Sequence, residues 1–183
     1  TQGVSSAASD VYKRQEDHIS QIPAIQLLMK LGYKYISPEQ ALVLRDNRTS
    51  NVLLTPILKE QLAKINSINY KGEKHPFSDA NINLAINEVK DLPIHLGYIN
   101  ANQHFYDLIT LGKSFEQTIN GDRKSFSFKY IDWEKPENNI FHVSEEFAVT
   151  RSNRSDTYRP DIVLFVNGLP LGCLLYTSPS PRD

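Results

Sequence analysis

One carboxylate in this sequence stands where it could hold a metal ion. Asp161 follows Arg159-Pro160 and opens an unbroken apolar run, Ile162 to Val166, which closes in an Asn167-Gly168 turn. Such a run predicts a strand buried on both faces. A carboxylate at its head is costly to bury unless it is paired or holds a cation. Two readings fit the local residues: an aspartate that caps a turn at a strand start, or a cation ligand. The chemistry that suits the second is phosphodiester hydrolysis. It needs a carboxylate at the end of one strand, a second acidic group on the adjacent strand and a lysine two residues further on. The two carboxylates would hold Mg²⁺, which polarises the phosphate and lowers the pKa of the attacking water. The lysine would stabilise charge building on the phosphate or orient that water. Here the second strand, Leu169-Pro170-Leu171, has barely begun when the chain turns to serine, proline and threonine.

Other candidate groups are weaker. Neither GxxxxGK[ST] nor GxGxxG occurs, so nothing supports a nucleotide cradle. His18, His75, His95, His104 and His142 lack metal-ligand spacing and read as surface or core histidines. Glu145 and Glu146 are adjacent on a predicted strand and should point to opposite faces, one solvated and one partly buried, which rules them out as a paired acid and base.

The elements that must position Asp161 are helices first and strands after. Ile22, Ile25, Leu28 and Met29 recur at helical spacing, with Gly32 as the expected C-cap, and a short strand follows over 33–36. Ser37-Pro38 and Thr55-Pro56 read as helix starts, each with a capping hydroxyl before proline. A further helix begins at Ser78 or Asp79 and carries Ile82, Leu84, Ile86 and Val89; another runs from about Ala101 to Leu111 and ends at Gly112. Strands are expected in "SFEQTI", "KSFSFKYIDW", "IFHVSEEFAVT" and "DIVLFVN", with a turn at Gly121-Asp122 and the middle two strands half-exposed. The fold class expected is α/β (α+β), helices first and a mixed sheet after, incomplete at its C-terminal strand.

A chain of 183 residues, 40% hydrophobic and 22% charged, has room for one domain with a proper core. No apolar run is long enough to span a bilayer, and a single cysteine, Cys173, excludes an internal disulfide, so a cytoplasmic location without membrane is the expectation. A formal net charge of −1 gives no general excess of basic residues for phosphates, though it leaves room for a local patch.

Both ends look foreign. "SSAASDVYKRQ" and "CLLYTSPSPRD" resemble the two translated transposon-type sequencing adapters. On this reading 1–15 and 173–183 are adapter-like tails, and 16–172 is the natural segment, slightly acidic and without thiol chemistry.

Within that segment "LGYKYIS", "LKEQLAKIN", "HPFSDANINLAI", "YDLITLGKSFEQTINGDRKSFSFKYIDW", "PENNIFHVSEEFAV" and "RPDIVLFVNGLPLG" together resemble the N-terminal nuclease domain of the endonuclease (R) subunit of type I restriction enzymes. The resemblance implies a restriction-endonuclease-like core of the PD-(D/E)xK type, in which Asp161 is the catalytic, metal-binding aspartate. It implies a parent protein that cleaves double-stranded DNA with Mg²⁺, uses ATP in motor domains lying outside this chain, and works with specificity and methylation subunits. The family's second strand continues into a Glu-x-Lys sequence, and those two positions are here Leu175 and Thr177. The chain itself is therefore expected to be nearly inactive. Some nucleases of this fold also use an early helix glutamate, for which Glu16 is a poor candidate. A non-catalytic docking or DNA-interaction module of the same fold, or a stand-alone nuclease without motors, are the other readings.

Overall fold

The computed structural model describes residues 21–150 and 157–175. In chain order its helices are α1 (21–30), α2 (Pro38–Val43), α3 (Thr55–Ile65), α4 (Asp79–Lys90) and α5 (Tyr98–Leu111). The strands are β1 (Lys34–Tyr35), β2 (Ile68–Tyr70), β3 (Glu73–His75), β4 (Lys113–Ile119), β5 (Asp122–Phe128), β6 (Phe141–Glu145), β7 (Val149–Thr150), β8 (Thr157–Tyr158), β9 (Ile162–Val166) and β10 (Leu169–Leu174). Helices and a mixed sheet are both present, as the sequence predicts. The chain divides into two compact units: one takes in the residues up to Val52, Phe141–Phe165 and those from Pro170 onward, the other Leu53–Ile140 and Val166–Leu169. The adapter-like residues 1–15, Glu16, His18 and Thr177 lie outside the described residues.

The first unit is organised by a four-stranded sheet in the order β1-β6-β9-β10. β1 runs parallel to β6, with Lys34 opposite His142. β6 and β9 run antiparallel, as the bonds at their two ends show: Glu146 N–H to Asp161 O at 3.1 Å and Asn167 N–H to Ile140 O at 2.9 Å. β9 and β10 are joined by a two-residue turn, which only antiparallel neighbours can use. Because β6 and β9 are central, His142, Val143 and Ser144 are buried in succession, not alternately as the sequence reading expected of a half-exposed strand. One strand of this sheet, β1, also comes earlier in the chain than a helices-then-sheet order would place it. β10 continues to Leu174, across the predicted boundary at Gly172, because strand pairing is made by backbone groups and Cys173 and Leu174 can supply them.

Helix α1 ends as its glycine foretells. Gly32 sits at φ +100, the Tyr33 N–H reaches Leu28 O at 3.0 Å and the Gly32 N–H reaches Met29 O at 3.1 Å, a Schellman motif. The buried cluster here is Ile25, Val143 and Ile162, flanked by Ala24, Leu28, Tyr33 and Leu164. Ile22 and Met29 are exposed instead, since the buried stripe runs through 21, 25 and 28. Ser37 caps α2 in a capping box with Gln40. Just beyond α2, Arg45 is only 1% exposed. Its Nη1 donates to Ala148 O at 2.9 Å and Asn51 O at 3.3 Å, its Nε donates to Ala41 O at 3.2 Å, and its guanidinium stacks 3.8 Å from the Phe147 ring centre. Burial pulls the Arg45 pKa down, and the carbonyls and ring replace the water it lost.

The second unit packs α3 and α4 with the long β4–β5 hairpin around Phe128. Phe77, Phe115 and Tyr130 meet that ring edge-on, at 5.0, 5.3 and 5.9 Å between centres. The hairpin turn is Asn120-Gly121, both at positive φ, so it lies one residue before the predicted Gly121-Asp122. Ser78 caps α4 as expected, but Leu84 faces outward. Thr55 is the first helical residue of α3 and not its cap; that position belongs to Leu54, whose N–H takes Gly168 O at 3.0 Å. The short β2–β3 hairpin has no counterpart in the sequence reading.

Asn167 and Gly168 belong to this unit. The Asn167 side chain is fully buried: its Nδ2 donates to Tyr130 O at 3.0 Å and to Asn139 Oδ1 at 2.8 Å, and its Oδ1 accepts the Ile140 N–H at 2.9 Å. Gly168 sits at φ +86, and a Cβ there would lie 2.8 Å from Leu54 O and 2.9 Å from Leu58 N, both backbone atoms.

Gly168→Ala adds a collision to the left-handed penalty and should cost about 2–5 kcal/mol. Gly121→Ala, with nothing within 4 Å of its Cβ, should cost only about 1–2 kcal/mol. Urea unfolding that gave equal midpoint shifts at constant m would refute the steric account. His142, 6% exposed and with no hydrogen-bond partner for Nδ1 among the described residues, has its pKa lowered from the ordinary 6.5 by burial and then by the Lys34 charge. The unfolded chain therefore binds this proton more readily than the folded one. Its contribution to stability is intact above pH 6.5, falls as pH drops below 6.5, and levels off under the depressed folded value. In His142→Leu that part of the pH dependence should vanish from urea melts, and its persistence would assign the slope to other groups.

Candidate functional site

The strand that follows Asp161 is among the best buried in its unit: Ile162 is 0% and Val163 4% exposed. Pro160 before it is buried too, while Asp161 itself is half-buried, so its carboxylate sits between core and surface. Its backbone is tied down because its carbonyl accepts the Glu146 N–H. Gln21, on the buried stripe of α1 and 4% exposed, directs its Nε2 to within 3.5 Å of Asp161 Oδ1. The sequence reading passed over Gln21. The signal was there: a polar residue in register with Ile25 and Leu28 must find a polar partner inside.

Glu145 and Glu146 separate as the sequence reading expected, although by a different route. Glu145 ends β6 half-buried, and its Oε1 accepts from the Tyr35 hydroxyl at 2.7 Å. That phenol is pushed up to about 12, chiefly by burial and then by its bond to Glu145. Glu146 leaves the extended conformation altogether, at φ 46, and its exposed carboxylate meets Arg159 at 3.5 Å. Each glutamate thus has its own cation or hydroxyl donor.

A Mg²⁺ ion held by protein needs converging oxygen ligands, usually with one or two carboxylates. Among the described residues no three His, Cys, Asp or Glu side chains come together in a group able to hold a metal. Leu175, where the resemblance implies a glutamate, follows β10 and is 53% exposed. The described residues around Asp161 therefore do not by themselves complete a metal site. The described histidines do not supply one either: His75 lies 3.6 Å from Glu73 and His104 lies 3.9 Å from Glu88, each a single pair.

No helix among the described residues is long and apolar enough to cross a membrane. The family described as type I restriction enzyme R protein N terminus matches residues 13–174. Two relatives come from Methanocaldococcus jannaschii. One, named as the MjaIXP endonuclease subunit of a type I restriction enzyme, is 28% identical over 93% of this chain and 16% of its own length. The other, named as the MjaVIIIP endonuclease subunit, is 35% identical over 79% of this chain and 12% of its own. The type I restriction enzyme HindI endonuclease subunit of Haemophilus influenzae is 28% identical over 85% of this chain and 14% of its own. The chain thus spans about one-sixth or less of the length of these relatives. With the match covering nearly every described residue, from α1 to β10, this chain belongs to the family of type I restriction enzyme R protein N-terminal domains.

Proposed function

We propose that this chain is a segment of the DNA-cleaving subunit of a type I restriction-modification system, with a PD-(D/E)xK core in which Asp161 is the metal-binding catalytic aspartate. The observation that carries this reading is the position of Asp161: half-buried, at the head of a fully apolar central strand, on a hairpin that closes in Asn-Gly. The complete subunit would act on double-stranded DNA in the cytoplasm, with Mg²⁺ for cleavage and ATP in its motor domains. Its partners would be the specificity and methylation subunits.

Within this reading the chain contributes scaffold and one ligand. Gln21 steadies the Asp161 carboxylate, and the Glu146 N–H fixes its carbonyl. Tyr35 engages Glu145 and Arg159 engages Glu146. Leu175 and Thr177 occupy the acid and lysine positions, so the chain by itself should not cut DNA.

A supercoiled plasmid incubated with the 183-residue chain and Mg²⁺ should stay supercoiled, with Asp161→Ala indistinguishable from it. Robust nicking that disappears in Asp161→Ala would overturn the assignment of Leu175 and Thr177. Conversely, Leu175→Glu with Thr177→Lys should introduce Mg²⁺-dependent nicking that Asp161→Ala abolishes. If nicking appeared in the double variant but survived the loss of Asp161, the metal-binding role of Asp161 would be wrong.

A further inference from the structure

A hollow of about 480 Å³ in the second unit is lined by four lysines, Lys64, Lys74, Lys129 and Lys135, together with the polar residues Ser67 and Asn69. They come from the end of α3, from β3 and from the segment after β5. Gathering four ammonium groups around one concavity costs repulsion, and the chain as a whole, at net −1, has no surplus of positive charge to spread. Only two carboxylates line the same hollow, Asp132 and Glu134.

Asp132 is already committed to the fold. It is 3% exposed and takes Lys129 Nζ at 2.8 Å, Asn138 Nδ2 at 2.8 Å and the Lys135 N–H at 3.2 Å. These bonds, Lys129 first, hold its pKa down at about 2, so it is an anion at neutral pH. Elsewhere Lys59, Lys71 and Lys113 have carboxylate partners. Lys64, Lys74 and Lys135 are exposed and make no ion pair among the described residues. Three uncommitted charges thus face one cavity, beside a hydroxyl and an amide that can donate hydrogen bonds. Charge-assisted bonds of this kind suit phosphate oxygens.

We propose that this hollow binds the phosphate backbone of duplex DNA through Lys64, Lys74 and Lys135. Lys129 is paired with Asp132 and is not counted among these contacts. This deepens the proposed action on DNA and rests on that substrate, but it does not rest on Asp161 or on cleavage. An adjoining hollow shares Lys129, Asp132 and Glu134 and is walled by Trp133, which is 57% exposed and fixed by its Nε1 donating to Ile109 O at 2.7 Å. Trp133 is the chain's single tryptophan, so its fluorescence reports occupancy of this region.

The test is a titration of the full chain with a duplex of about 20 base pairs in EDTA, where cleavage plays no part. Duplex should quench Trp133 fluorescence. The triple variant Lys64→Ala, Lys74→Ala, Lys135→Ala should bind about tenfold or more weakly and lower the slope of log K against log salt by about 2–3. Each single replacement should lower the slope by about 1, which keeps the test readable if the triple variant does not fold. Replacing Lys30, Lys90 and Lys124, outside the hollow, should change neither quantity. Undiminished binding by the pocket variants, equal loss in the control variant, or no binding by the unaltered chain would overturn the proposal. So would quenching by polyglutamate, a mononucleotide or inorganic phosphate as strong as that by duplex, since the site would then serve an acidic protein or a small anion. Failure here leaves the plasmid result standing by itself, because that assay reads Asp161 and not retention of DNA.

Discussion

A single buried amide governs how the β9–β10 hairpin closes. Asn167 has no solvent to bond with, so its side chain must satisfy itself on backbone and on another asparagine. Removing it would strand the Tyr130 carbonyl and the Ile140 N–H in the interior, at about 1–3 kcal/mol each. Asn139 extends the arrangement: its Oδ1 also accepts the Asp132 N–H at 2.9 Å and its Nδ2 returns to Asp132 O at 2.9 Å. The "PENN" segment and the "VNG" turn, far apart in sequence, thus form one hydrogen-bonded patch. Gly168 then seats against the start of α3 where no side chain fits.

The charged interior is likewise satisfied by specific local partners. Arg45 is kept inside by three carbonyls and an aromatic face, without any carboxylate among its described contacts. Asp132 is kept inside largely by amides and one lysine. In each unit a formal charge organises loops: Arg45 gathers the segments at Asn51 and Ala148, and Asp132 gathers those at Lys129, Lys135 and Asn138. Such groups are poor contributors to net stability but costly to orphan, so they select one loop arrangement over others.

How legible was this in the sequence? The strand after Asp161 could be read because five apolar residues end in Asn-Gly, and the helix boundaries at Gly32, Ser37, Ser78 and Gly112 could be read from capping chemistry. The short strand β1 was legible from its place after Gly32, but β2 and β3, three residues each, are too short to show a period. Helix faces were misjudged at Ile22, Met29 and Leu84, where apolar residues adjoin the buried stripe and remain outside it. Around Asp161, the partners Gln21 and Glu146 lie 140 and 15 positions away, and no local pattern links them. The lysine hollow was invisible for the same reason: its residues are ordinary surface lysines until the chain folds them toward each other.

The way β10 is held has a further meaning for how such a domain can change. Its turn is locked by Asn167 and Gly168, and its pairing with β9 uses backbone groups indifferent to side-chain identity. Leu171, Cys173 and Leu174 are partly exposed along a strand that still forms. Backbone and side chain are thereby separable here: Leu169 is anchored in the core, while the exposed positions beyond it can change identity and leave the pairing of the hairpin intact.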